Sequence, residues 1–105
     1  MFIVMYEFQI KKGKDEPFIK AWADHTEFVY AQRGSLGSRL HETETDDTYV
    51  AYAQWPSKEQ WQESSKVYEE SSPETLLQMK ELLVSSRVIR QLSVCADNLK
   101  ETPFS

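Results

Sequence analysis

The residues that most often announce a chemistry are scarce in this chain. Among 105 residues there are one cysteine, two histidines, three glycines and a single asparagine, Asn98. One cysteine forms no internal disulfide, so Cys95 is expected as a small buried hydrophobe on a strand, and a reducing cytoplasm is the expected location. No zinc-ligand spacing is present. There is likewise no dinucleotide fingerprint, phosphate-cradling loop or nucleophile elbow, since "GSLGS" (34–38) lacks the required glycine order and opens no helix. Positive charge is short as well. Twelve Lys and Arg against seventeen Asp and Glu leave a net charge of −5, which argues against nucleic acid and anionic membrane surfaces as partners. Long apolar runs are missing: "MFIVMYEF" opens the chain, but Glu7 interrupts it and no basic region precedes it. Neither a signal peptide nor a membrane span is expected. Glu42, Glu44, Asp46 and Asp47 lack the calcium-loop pattern and are expected to form a solvated turn.

What is present is periodicity. "FIVMYEFQI" (2–10) alternates as a strand, with Phe2, Val4, Tyr6, Phe8 and Ile10 on one face and Ile3, Met5, Glu7 and Gln9 on the other. After a turn at Gly13 the period becomes helical from Asp15 to about Arg33. Phe18, Trp22, His25 and Val29 form its apolar stripe, and Gly34 is the expected stop. Residues 35–42 and 48–55 alternate as two strands of a hairpin. "PSKEQ" opens a second helix with the capping-box spacing of Ser57 and Gln60, its inner face bearing Trp61, Ser65 and Tyr68. Ser72 and Pro73 are placed to start a further helix with Leu76, Met79, Leu82 and Leu83. Residues 86–96 complete the pattern as a strand with Val88, Leu92 and Val94 on one face. The order is βαββαβ, an α+β ferredoxin-like arrangement with a four-stranded antiparallel sheet and helices on one face. One domain is expected over 1–96, followed by a polar tail, 97–105, in which Phe104 could dock. The helix-free face would leave Ile3, Met5 and Ile89 exposed in a lone chain, which predicts a homodimer through that open sheet face.

The run "GSLGSRLHETETDDTYVAYAQWPSKEQW", following the strand "YEFQI" and a tryptophan-bearing helix, resembles the antibiotic biosynthesis monooxygenase domain. The resemblance covers roughly residues 2–95. It rests most on the glycine-rich start of strand two and on "AQWPSKEQW", where an aromatic-ended strand runs into Ser-x-x-x-Trp. It implies a dimeric α+β barrel. It also implies, as one activity, cofactor-independent oxygenation of a small aromatic or quinone-like molecule, chemistry that needs neither metal nor flavin. The alternative is a non-catalytic small-molecule-binding or stress-associated module of the same fold. Haem degradation is disfavoured, because no histidine follows Trp61 in the helical segments.

Such chemistry needs an aromatic-lined pocket, a group that favours the substrate anion, and exclusion of water. His25, on the apolar stripe of helix one, is the candidate catalytic group, and the resemblance adds Trp61. Tyr6, Trp22, Tyr52 and Tyr68 are the expected substrate-binding aromatics. Arg39 is the candidate anion-stabilising cation, alternation leaving open whether it and His41 face the cleft or an interface. No cofactor and no metal site is expected.

Overall fold

The computed structural model describes residues 1–70 and 72–100, and for 68–70 the backbone alone. The expected docking of Phe104 lies outside the described residues. In chain order the elements are β1 (Phe2–Ile10), α1 (Asp15–Arg33), β2 (Gly37–Glu42), β3 (Thr48–Trp55), α2 (Lys58–Glu70), α3 (Glu74–Glu81) and β4 (Leu83–Ser93). The strands form one antiparallel sheet in the order β2-β3-β1-β4. This is the ferredoxin-like topology read from the sequence, with the second helical segment divided into α2 and α3.

Hydrophobic alternation sets the two faces of the sheet. Phe2, Val4, Tyr6 and Phe8 of β1 lie opposite Trp55, Ala53, Ala51 and Tyr49 of β3. These residues turn towards the helices and form the core together with Phe18, Ala21 and Met79. Phe18 is completely buried, its ring 5.5 Å from that of Phe8 and 5.3 Å from that of Tyr49. The Tyr49 hydroxyl donates to Asp15 and ties the start of α1 to the sheet. That hydrogen bond first, and then burial, push its pKa up to about 12, so the phenol keeps its proton.

The opposite face carries Met5, Glu7, Arg39, His41, Val50, Tyr52, Arg90 and Leu92, by the same register. Ile3 belongs to it too, yet it is only 2 % exposed in the single chain, so the expectation that it would be left bare is corrected. A bulge in β4 makes a second correction. Met5 pairs with Arg90 and Tyr6 with Val88, so the register skips Ile89. The extra residue turns Val88 to the helix side while Leu92 stays on the open face, which separates two residues that plain alternation puts together.

Boundaries shift where the chain changes direction. Pro73, expected inside the first turn of α3, is extended at the cap position (φ −69°, ψ 156°), and its carbonyl accepts from Leu76 and Leu77. β4 begins at Leu83 because β1 is long enough to pair with it through Ile10. It ends at Ser93, which leaves Cys95 beyond the strand and exposed rather than buried.

Two glycines hold positive φ for different reasons. Gly34 (φ 81°) closes α1 in the left-handed conformation, and a Cβ there would lie 2.6 Å from the Gln60 side chain. That side chain donates to the Arg33 carbonyl at 2.9 Å, joining the end of α1 to the start of α2. The expected capping box is therefore half formed: the Ser57 hydroxyl accepts from the Gln60 backbone, while the Gln60 side chain goes elsewhere. At Gly37 (φ 102°) no atom of the described residues other than its chain neighbours lies within 4 Å of where a Cβ would be. Its backbone conformation is the reason for glycine there.

Candidate active site

The helices do not close fully on the sheet. Between them lies a cavity of about 330 Å³ floored by Ala51, Ala53, Tyr6 and Phe8, walled by Trp22, His25, Thr26 and Val29 of α1, and closed by Trp55, Trp61, Ser64, Leu76 and Met79. Its origin is local. β3 places two alanines inward between Tyr49 and Trp55, so the sheet surface is hollow where its neighbours are bulky. β2 adds Ser38 at the same level, opposite Ala53. Helices resting on the aromatic ends of that floor span a gap over the small side chains.

The polar groups in this wall are few and specifically held. Trp61 donates its indole N–H to the Tyr6 hydroxyl at 2.8 Å, and its ring lies 5.7 Å from Phe2. Tyr6 and Trp61, fifty-five residues apart, thus form one unit across the cavity. His25 Nδ1 and the Thr75 hydroxyl share a 3.0 Å hydrogen bond, which joins α1 to α3 and fixes the imidazole plane. Removal from water lowers the His25 pKa from 6.5 to about 4. The imidazole is accordingly neutral at physiological pH. Lys80 lines the cavity from an exposed position on α3.

Of the residues expected at the site, His25, Trp61, Tyr6 and Trp22 line this one cavity. Tyr68 lies outside the described side chains. Tyr52 and Arg39 are elsewhere. They pair with each other and Tyr52 with Met5, on the face away from the helices. The physical reason is register. Tyr49, Ala51, Ala53 and Trp55 are turned inward with Phe8, Tyr6, Val4 and Phe2, so the residue between Ala51 and Ala53 must point outward. Arg39 is exposed there, as is His41, whose Nδ1–H donates to the Val50 carbonyl at 3.0 Å.

Sequence reasoning missed Ser35, Ser38 and Ser64 as cavity residues and left Trp55 out of the expected site set. The usable signal was the inward Ala-x-Ala of β3, which marks space where aromatic residues stand on either side. Ser64 could have been found as the residue one turn beyond Trp61. Among the described residues no group of three or more His, Cys, Asp or Glu side chains could hold a metal ion. No described helix is long and apolar enough to cross a membrane.

Comparison with known proteins gives a consistent result. The family model for antibiotic biosynthesis monooxygenase matches residues 1–69. The fold is similar to that of SnoaB from Streptomyces nogalater, a cofactor-independent oxygenase, at a TM-score of 0.71 and 18 % identity, over 95 % of this chain and 97 % of that one. A protein from Bordetella bronchiseptica described as an antibiotic biosynthesis monooxygenase superposes at 0.76 with 14 % identity, over 90 % of this chain and 97 % of that one. A NIPSNAP domain protein from Burkholderia xenovorans superposes at 0.68 with 15 % identity, over 95 % and 100 %. No curated protein matches the chain in sequence.

The lowered pKa of His25 has a thermodynamic consequence. Between about pH 6.5 and pH 4 the unfolded chain binds a proton at this residue that the folded chain refuses. Its contribution to stability is therefore complete above about pH 6.5 and is lost as the pH falls towards 4. NMR titration of the imidazole Cε1–H should give a midpoint near 4, and denaturant unfolding of His25→Gln should lose less stability than wild type over that interval. A midpoint near 6.5 would show that the side chain is solvated.

Proposed function

The chain belongs to the antibiotic biosynthesis monooxygenase family, and from that premise we propose that its cavity oxygenates a small aromatic molecule without a cofactor. The observation that carries this reading is the neutral His25 set among Trp22, Trp61, Tyr6 and Phe8 in one cavity. Aromatic walls suit a flat ring, and a cavity of about 330 Å³ suits one or two fused rings. For a phenol such as 1-naphthol the balanced reaction takes up one dioxygen and releases one quinone and one water. His25 takes the phenolic proton. Alone in a partly desolvated site an imidazolium is costly, but beside a phenolate the two charges stabilise one another. The electron-rich anion then passes an electron to dioxygen, and the ring carbon para to the oxygen joins the reduced oxygen. His25 returns its proton to the peroxide, and the ring hydrogen then leaves with the outer hydroxyl as water, which yields the quinone. The Tyr6–Trp61 hydrogen bond holds both rings in place against the substrate, and the Thr75 bond does the same for His25.

Binding without turnover is the second reading, because the family resemblance implies an asparagine at the cleft of active oxygenases and the sole asparagine here, Asn98, lies elsewhere. Asn98 is exposed beyond β4, where its Oδ1 accepts from Lys100, and contributes no amide to the cavity. Oxygen consumption separates the two readings. With a panel of dihydroxynaphthalenes and quinols, wild type should consume oxygen, and His25→Ala should slow the reaction on the order of a hundredfold. No uptake above the His25→Ala level with any member of the panel would leave the binding reading in its place.

The open sheet face supports assembly as a homodimer. Leu92 is 41 % exposed there, beside half-buried Met5, Val50 and Tyr52, with Arg39 at the margin. A second copy would cover this apolar strip through a two-fold axis. Light scattering at micromolar concentration should report twice the 12.3 kDa of one chain; a mass near that of one chain would refute the dimer.

A further inference from the structure

A second recess shares Trp61 with the cavity but lies outside it. It is an open groove between α2 and β4, lined by Lys58, Trp61, Gln62, Ser65, Lys66 and Gln91. Trp61 and Ser65 line both spaces, which are therefore neighbours with a common wall. Spacing along the two elements supplies the rest. Lys58, Gln62 and Lys66 recur every four residues and so share one face of α2. Gln91 pairs with Val4, which is fully buried beneath the helices, so Gln91 stands on the helix side of the edge strand.

The sign of its charge sets this groove apart. The chain carries seventeen acidic residues against twelve basic ones, yet among the described residues two lysines and no carboxylate line the groove. Glu59 and Glu63 each follow a groove residue by one position, about 100° further round the helix, and take no part in the lining. The head groups are also available. The side chains of Lys58, Gln62 and Gln91 are exposed and make no hydrogen bond or ion pair among the described residues. Lys66 meets Glu63 at 3.6 Å, but both side chains are exposed, and a pair of this kind is weak enough to yield to another anion. Ser65 is already committed, its hydroxyl donating to the Trp61 carbonyl at 3.2 Å.

We propose that this groove is a ligand site in its own right, taking a flat aromatic dicarboxylate between Lys58 and Lys66. The two lysines are eight residues apart, about 12 Å along the helix, which suits two anionic groups at opposite ends of one ligand better than a single one. Gln62, midway between them, and Gln91, across the groove, offer amide N–H groups to either carboxylate. Trp61 supplies apolar surface against which the ring can lie. A polyanion is a poor match, since two lysines on a chain of net charge −5 would hold little of a nucleic acid or a membrane surface. The site is independent of what the cavity binds and of whether the cavity turns it over.

Terephthalate, benzoate and benzamide share a ring and carry two, one and no negative charges, so NMR titration of each into nitrogen-labelled protein isolates the charge. Terephthalate should shift the side-chain amide signals of Gln62 and Gln91 along one saturation curve. It should bind about 3-fold or more tighter than benzoate, and benzamide should leave those signals in place. Lys58→Gln and Lys66→Gln should each weaken terephthalate about 3-fold, the scale of one exposed ion pair. Lys12→Gln removes the same charge from the turn between β1 and α1 and should change binding less than about 1.5-fold. All three lysines are exposed, so none of these substitutions removes a core contact. Equal effects of the three substitutions would reduce the result to net charge and overturn the proposal. Equal binding of benzamide, or terephthalate shifts centred on the Ala51 and Ala53 methyls of the cavity, would overturn it as well. Absence of any saturable terephthalate shift overturns it too and leaves the reading of the cavity untouched.

Discussion

The antiparallel pairing of β1 with β3 decides which side chains the helices meet. With Phe2 opposite Trp55 and Phe8 opposite Tyr49, the inward row of β3 is large, small, small, large. The aromatic ends hold the helices off the sheet and the two alanines leave room beneath them. A slip of one residue would turn Tyr52 and Gln54 inward and the alanines outward, and the hollow would be filled. The cavity is therefore a consequence of register rather than of loosely packed helices. Around it the core is well closed, as the complete burial of Phe18 and Val4 shows.

That hollow is also an electrical environment. Poor access to water keeps His25 neutral, and the same exclusion raises the cost of every polar atom that lacks a partner. Within one wall the chain contains both outcomes. Trp61 and Tyr6 satisfy one another, and His25 is tied to Thr75, whereas the Trp55 indole N–H and the Ser64 hydroxyl meet no partner among the described residues. The hydrogen bonds already made come from four separate elements, β1, α1, α2 and α3, so the geometry depends on the whole fold.

Much of the fold was legible because alternation and helical period are strong here. The bounds of α1 and β3, the βαββαβ order and the inward set of β1 all follow from spacing. His25 and Trp22 were legible for the same reason, lying on one stripe of a helix whose buried face Phe18 defines. Tyr52 was not, because both faces of β3 are half apolar and residue type alone gave no direction. Only pairing with Met5 and Arg39 settles it. The bulge at Ile89 was invisible for a related reason: one extra residue in an edge strand changes the face of Val88 without changing composition. Cys95 escaped because the end of β4 is set by the length of β1, which lies ninety residues earlier. Trp55 and Ser64 are of a third kind. Their buried donors lack partners among the described residues, which no one-dimensional pattern records.

Methyl chemical-shift mapping tests most directly whether the hollow over Ala51 and Ala53 takes the ligand. On adding 1-naphthol to protein labelled at Ala, Val, Leu and Met methyls, the resonances of Ala51, Ala53, Val29, Leu76 and Met79 should move together with one saturation curve. Those of Met5, Val50 and Leu92 should stay in place. Shifts confined to the open-face methyls, or no saturable shift at Ala51 and Ala53, would contradict the account.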